Sequence, residues 1–553
     1  MHIFRHAKRR VTLGELAREC EHAAAEGDGL DMLLAAARLE CGAADVWAAE
    51  DGGDGWGERE QALTALSRAA AAHLLGLGGR PGPRLAAART ALPAAAVATG
   101  RAEPEGLRYY AAAPEGYVAA ARAWREAHAR EPAWVIGLRT MGSVMAPVAA
   151  AAAGAKRLAT LRPVGEPQQR RIVAQAELEA AMRAWRGAVL VVDEGPGLSG
   201  SSFGGAVRWL RRLGIAPERI TLLASWNPGA PEAGGLSNGY AARHWRRWQV
   251  RTAAALAPPD GAAEDLSGGR WRAALGAHRG EPVWGQHERR KYLIEGGRTI
   301  AKFAGLGEYG RATLERARRL ATAGWGPAVA AGAEAAIAQG WLLYRRQTVS
   351  ALRRPQRGWC EFAGRYLAWT EMEFALEREA PPTPEMEEMA RINVQRLLQA
   401  DLEGMPPPGP RVRLDGRMAA VEWGAREDGG WVKFDGTDHG DDPFFPGPGD
   451  IAWDLAGIGI EFGAAAGAAA AAAYRRASGA SAPRLAARLA WHQVAYSAFR
   501  AAYCGFAAER TEGGDRAGFA ARATRYRTAC AAALSAWETY RPRPSRRRGG
   551  RAR

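Results

Sequence analysis

Hydrophobic and polar positions change their spacing several times along the 553 residues. From residue 1 to about 105, apolar positions recur at helical intervals, as in "DMLLAAARLECGAADVWAA", and the runs are broken by "EDGGDGWGE" and "LGGRPGPR". This pattern predicts a helical segment without a catalytic constellation of its own. Between 106 and 258 the pattern alternates: helical "YVAAARAWREAHA", apolar "AWVIGL", helical "SVMAPVAAAAAG", apolar "RLATLRPV", then "VLVVDEGPGLSGSSFGGAVRWLRRLG" and "RITLLASW". Short apolar runs alternating with helices predict an α/β domain with a parallel sheet and crossover connections. Residues 259–281 read as a linker around "LAPPDGAAEDLSGG". Two short strands, "RKYLIEGG" and "RTIAKFAGL", then open a mostly helical α+β unit over 282–540, and 541–553 reads as a disordered Arg-rich tail.

Composition narrows the function classes. No apolar run reaches the roughly eighteen residues of a membrane span. The N-terminus "MHIFRHAKRRVTLGELAREC" has no apolar core of the kind a secretion signal needs, so a cytoplasmic address is expected. The five cysteines have neither C-x-x-C pairing nor metal-ligand spacing. Net charge is +16, but seven arginines sit in "RPRPSRRRGGRAR", and elsewhere arginines interleave with acids without aromatic platforms. This argues for small-molecule substrates over nucleic acid, leaving the tail as the segment that could contact it; a homo-oligomer is compatible with the sequence. Only five of the 75 basic residues are lysine: Lys8, Lys156, Lys291, Lys302 and Lys433. A lysine inside a β-type segment therefore stands out.

The run Val189 to Gly214 carries the first candidate chemistry. An apolar strand ends in Asp193 and Glu194, passes through Gly197, Leu198, Ser199, Gly200, Ser201 and Ser202, and resumes as an amphipathic helix. A Gly/Ser loop at a helix N-terminus suits phosphate, whereas carboxylates suit sugar hydroxyls, so a ligand with both groups satisfies the segment. A solvated strand end is the plainer reading of the two acids. The stretch resembles the PRPP-binding motif of type I phosphoribosyltransferases, though Pro196 and Leu198 stand where that family has Thr or Gly. The upstream "VIGLRTMGSVMAPVAAAAAG" is similar to the family's pyrophosphate loop. The resemblance implies that Asp193 and Glu194 orient ribose and that Gly197 to Ser202 grip the 5′-phosphate. Arg139, Thr140, Met141 and Gly142 would receive the departing pyrophosphate. Arg162, Arg170 and Arg171 are further cations within the same region.

The C-terminal half carries the second. Lys302 lies on a strand, Glu315 on the helix after it, and "WVKFDGTDHGDDPFFPGPGDIAWDLAG" ends a strand at Asp435 before an acid-rich loop. A strand lysine can pair with nucleotide phosphates and a strand-end acid can hold Mg2+. These segments resemble the aminoglycoside phosphotransferase and choline kinase branch of the protein-kinase-like fold. The resemblance implies ATP on Lys302 and Glu315, Mg2+ on Asp435, and Asp415 of "RLDGRMAAVEW" as base. Ala420 stands where that family has asparagine, with Glu422 as the alternative metal ligand. His439 reads as a loop residue, and Asp438, Asp441 and Asp442 as either metal ligands or a solvated turn. Together the two resemblances imply a bifunctional transferase using PRPP, ATP and Mg2+. The alternative is a PRPP-responsive scaffold whose kinase-like module does not turn over.

Overall fold

The computed structural model describes residues 10–93, 97–166, 169–197, 199–227, 248–274, 280–347, 349–352, 355, 357–376 and 384–540. Leu198 and the 541–553 tail lie outside them.

The N-terminal segment forms helices α1 (Leu13–Glu26), α2 (Gly29–Glu50), α3 (Glu58–Leu74) and α4 (Pro81–Ala91). The start of α1 is fixed by Thr12 and Glu15, which bond each other's backbone amides, and that of α2 by Asp28, which accepts from two amides. A short antiparallel pair, β1 (Arg10–Thr12) with β2 (Ala98–Gly100), closes the segment. The short helix α5 (Glu105–Tyr109) then leads into α6 (Pro114–Ala127).

The alternating region folds as the expected parallel sheet. Strands β3 (Ala133–Leu138), β4 (Arg157–Leu161), β5 (Ala188–Val192), β6 (Ile220–Ala224) and β7 (Gln249–Thr252) lie in the order β4-β3-β5-β6-β7. Every neighbouring pair is parallel. All residues of β3, β5 and β6 are buried, which explains their unbroken apolar character. Helix α7 (Met141–Ala152) follows β3, α8 (Ala176–Ala184) precedes β5, and α9 (Ser201–Arg212) follows it.

The segment expected to be a linker adds β8 (Glu264–Asp265) to a second sheet, with β9 (Lys291–Ile294), β10 (Thr299–Phe303) and β11 (Trp341–Arg345), all antiparallel. Helix α10 (Glu308–Thr322) packs beside it. The remainder is mainly helical, dominated by the long helices Ala482–Ala508 and Gly513–Tyr540 packed together. One hydrophobic core runs without a break from Leu33 and Leu66 through Val144 and Leu190 to Phe303 and Trp341. The N-terminal helices, the parallel sheet and the antiparallel sheet therefore share a core, while the C-terminal helices have a separate one. Among the described residues no helix is long and apolar enough to cross a membrane, and all five cysteines are buried free thiols.

Candidate functional site

Between the antiparallel sheet and the C-terminal helices lies a cavity of about 1030 Å3. Register sets its cationic wall, because Lys302 on β10 stands directly opposite Lys291 on β9 and both reach the cavity. Like charges opposed across strands repel, so each needs an anion. Lys291 Nζ has Glu288 at 2.7 Å, and Lys302 Nζ has Asp435 Oδ1 at 2.5 Å and Asp438 as a second partner. Burial alone would lower the Lys302 ammonium pKa, but the two aspartates more than offset it and hold it above the ordinary lysine range. The converse holds for Asp435 and Asp438. Burial raises them, yet Lys302 pulls both below the usual carboxylate value, Asp435 the further.

Asp435 reaches the lysine because the chain turns left-handed just after the strand Trp431–Lys433, with φ +53° at Asp435. Aspartate tolerates that region better than most residues. The turn also carries His439 back over Glu422. Ligand atoms of Glu422, Asp435 and His439 all lie within 4.8 Å of one another, a spacing that one divalent ion can bridge. Glu422 is held at about 2: burial raises it, and His439 and Arg417 lower it further than burial lifts it. Two ionised carboxylate donors fit Mg2+, and the imidazole, read from sequence as a plain loop residue, completes the group.

Two of the expected site residues lie apart from the cavity. Glu315 was expected beside Lys302, but its side chain is 64% exposed and pairs with Arg319 one turn on. The buried face of α10 is Tyr309, Thr313, Leu314, Arg316, Ala317 and Leu320, and Glu315 falls outside it. Asp415 was expected as base, yet it is 0% exposed and does not line the cavity. Its carboxylate accepts from Tyr366 Oη at 2.7 Å and lies 3.1 Å from Lys433 Nζ, while its own amide donates to Asp454. Gly416, at φ +90°, reverses the chain, and Arg417 is the loop side chain that enters the cavity. Arg417 lies 3.1 Å from Glu281 and 3.3 Å from Glu422.

No protein-family model matches the chain, and no curated protein matches it. Among solved structures it is similar to a choline/ethanolamine kinase family protein from Mesorhizobium loti, at 17% identity and TM-score 0.31, over 49% of this chain and 98% of that one. It is also similar to a type I macrolide 2′-phosphotransferase, at 15% identity and TM-score 0.29, over 45% of this chain and 87% of that one. A third is a macrolide 2′-phosphotransferase from Brachybacterium faecium, at 15% identity and TM-score 0.28, over 42% of this chain and 87% of that one. Likeness at this level assigns no activity to the chain.

The second candidate site lies on the parallel sheet. Strand order reverses between β3 and β5, and the loops that follow these two strands flank the crevice where ligands of such sheets bind. Asp193 and Glu194 follow β5, with Tyr117 Oη donating to the Asp193 carbonyl at 3.0 Å. Gly195 N donates to Ser225 Oγ, Trp226 Nε1 to the Pro196 carbonyl, and Ser199 Oγ to Ser201 Oγ, which shapes the loop before α9. Gly197 is exposed, Gly200 takes φ +60° ahead of α9, and Ser202 lies within its first turn. Across the crevice, Thr140, Met141 and Gly142 begin α7, and Gly142 packs so tightly that a Cβ there would lie 2.6 Å from the Gly137 carbonyl carbon.

Arg139 takes a different place from the one expected. Its guanidinium is buried beneath the loop, bonding Asp54, Asp45 and the Thr160 carbonyl, so the side chain does not face the crevice. Arg162 joins the same Asp45. The N-terminal helical segment thus supplies carboxylates that hold the loop after β3 from below. It also anchors α10: Arg38 bonds Glu308 and Tyr309, and Arg311 bonds Asp31.

Proposed function

We propose that the C-terminal half binds a Mg2+-nucleotide and transfers its terminal phosphoryl group to the hydroxyl of a small molecule. The observation that carries this is Lys302 facing Asp435 beside Glu422 and His439 at the cavity wall. A phosphate between Lys302 and Lys291 would offer those cations new partners; Asp435 and Glu422 would hold Mg2+, which when bound would neutralise phosphate charge. Chemistry of this kind rests mainly on positioning and charge neutralisation, which the cavity provides without Asp415 as base. The test is Mg2+-dependent ADP formation from ATP in the presence of a library of hydroxyl compounds. Turnover in the wild type and its loss in Asp435→Asn are expected; no turnover with any acceptor contradicts the transfer step.

One observation favours binding without turnover. The loop residue that enters the cavity is Arg417, a cation that cannot take a proton from a hydroxyl. In that reading ATP binds with Mg2+ but is not consumed, and the kinase-like half is a scaffold.

For the parallel-sheet half we propose PRPP as ligand, supported by two acids and a Gly/Ser loop on one side of the strand-order reversal and the Thr140–Gly142 turn on the other. Asp193 and Glu194 would orient the ribose, and the loop amides with the α9 N-terminus would hold the 5′-phosphate. The transferase reading requires pyrophosphate release and the sensor reading requires binding without it. Calorimetric titration with PRPP and Mg2+ on wild type and Asp193→Asn decides whether the site exists: saturable binding lost in the variant is expected, and no binding by the wild type contradicts it.

A further inference from the structure

The cavity wall carries more than the lysine and metal cluster. Its volume of about 1030 Å3 stands at the upper end for small-ligand pockets, commonly about 300–1,000 Å3. Another part of its lining is formed by Trp284, His287, Arg417, Arg500, Tyr503 and Phe519, which meets the metal cluster where Arg417 lies 3.3 Å from Glu422. We infer that this part receives the anionic group, phosphate or carboxylate, of the molecule that accepts the phosphoryl group, with Arg500 as its principal partner. The inference rests on the phosphotransferase reading of the lysine and metal cluster.

Arg500 is 5% exposed, and its side chain has no hydrogen-bond or salt-bridge partner among the described residues. Its guanidinium lies 5.1 Å from the Tyr503 ring centre and 5.7 Å from that of Tyr526, so its packing is aromatic rather than ionic. Glu461 is its counter-charge but does not hydrogen-bond it, accepting instead from Arg525, Tyr496 and Tyr526. A buried guanidinium with no carboxylate in hydrogen-bond reach keeps donors for an arriving anion.

The neighbours make the same demand. Arg417 is close enough to Arg500 to feel its like charge. The acids of this part are spoken for: Glu281 by Arg522 at 2.6 Å and by Arg417, and Asp442 by His287 at 2.9 Å and the Phe444 amide. The Trp284 indole N–H, a donor only, is buried with no hydrogen-bond partner among the described residues. What is left over in this part is donors and positive charge. A cationic acceptor would meet two guanidiniums and no free carboxylate. A phosphoribosylated compound, the product proposed for the other half, carries the anion this part lacks, so the two reactions can run in that order.

The experiment is calorimetric titration of the full chain with glycerol 3-phosphate, glycerate, glycerol and choline, each with Mg2+-ATP binding measured separately. Saturable binding of one or both anions and weak binding of glycerol and choline are expected, with the phosphate and carboxylate probes telling the two chemistries apart. Arg500→Met should weaken the anion by about tenfold or more, the loss of one charged hydrogen bond. Arg500→Lys should restore part of it, which separates lost charge from lost packing. Choline or glycerol binding as tightly as the anions, no anion binding by the wild type, or anion affinity unchanged in Arg500→Met overturns the inference. Absence of Mg2+-ATP binding by the wild type is a different result and overturns the phosphotransferase reading instead.

Discussion

Removing Lys302 strands two carboxylates, which makes Lys302→Met a stringent test of the site's electrostatics. In the wild type its ammonium has Asp435 at 2.5 Å and Asp438 beside it, and both aspartates are ionised because of it. Breaking a buried ion pair costs about 3–5 kcal/mol, mostly the penalty of the charge left behind. The Asp435 side chain is 38% exposed, so water screens part of that charge, and the lower end, about 3 kcal/mol, applies. The double variant Lys302→Met/Asp438→Asn removes one stranded charge and should regain about 1 kcal/mol or more relative to the sum of the single changes. Urea unfolding of the full chain, followed by tryptophan fluorescence, reads both numbers. Mg2+ should raise the midpoint of Lys302→Met more than that of the wild type, because Asp435 is then free to join Glu422 and His439 on the ion. A loss below about 1 kcal/mol, or strict additivity in the double variant, refutes the reasoning.

Further outcomes follow from other contacts. Burial, and then the Asp415 charge, raise Asp454 from 3.8 to about 7. A folded state that holds this proton more tightly gains stability that is complete below pH 3.8 and lost as pH rises through about 7. Asp454→Asn should therefore flatten the fall in urea midpoint across that window. Glu422 has the opposite sign: its contribution is present above pH 4.5 and lost as pH falls through about 2, so Glu422→Gln should steepen nothing on the neutral side but remove the acid-limb loss. Helix α5 touches both sites, with Gly106 against Glu194 and Arg108 bonded to Asp441, so Arg108→Ala should weaken Mg2+-ATP binding several-fold in calorimetry through a displaced acidic loop. Gly142→Ala should cost about 1–3 kcal/mol in urea unfolding, because its Cβ would meet backbone atoms of Gly137 and Val192.

Much of the fold was legible because its signals are local. β3, β5 and β6 are short β-branched runs bounded by loops, and the scarcity of lysine pointed to Lys302. Three of the chain's five lysines stand at or beneath the cavity: Lys291 and Lys302 on its wall, and Lys433 against Asp415. The differences from expectation lie in side-chain direction. The phase of apolar positions on α10, read from Tyr309, Thr313 and Leu320, already places Glu315 outside, and this signal was available in the sequence. The Asp415 role was not resolvable that way, since a left-handed Gly416 decides which loop residue faces the cavity. Arg139 was misplaced for a long-range reason: Asp45 and Asp54, some ninety residues earlier, draw it beneath the loop. Arg500 gave no sequence signal at all, being one arginine among many on an Ala-rich helix.

The most direct measurement is calorimetric titration of the full chain with ATP, with and without Mg2+, on wild type and Asp435→Asn. The account predicts saturable, Mg2+-dependent binding that weakens by about tenfold or more in the variant. Binding that is indifferent to Mg2+ and unchanged in Asp435→Asn, or no binding by the wild type, contradicts it.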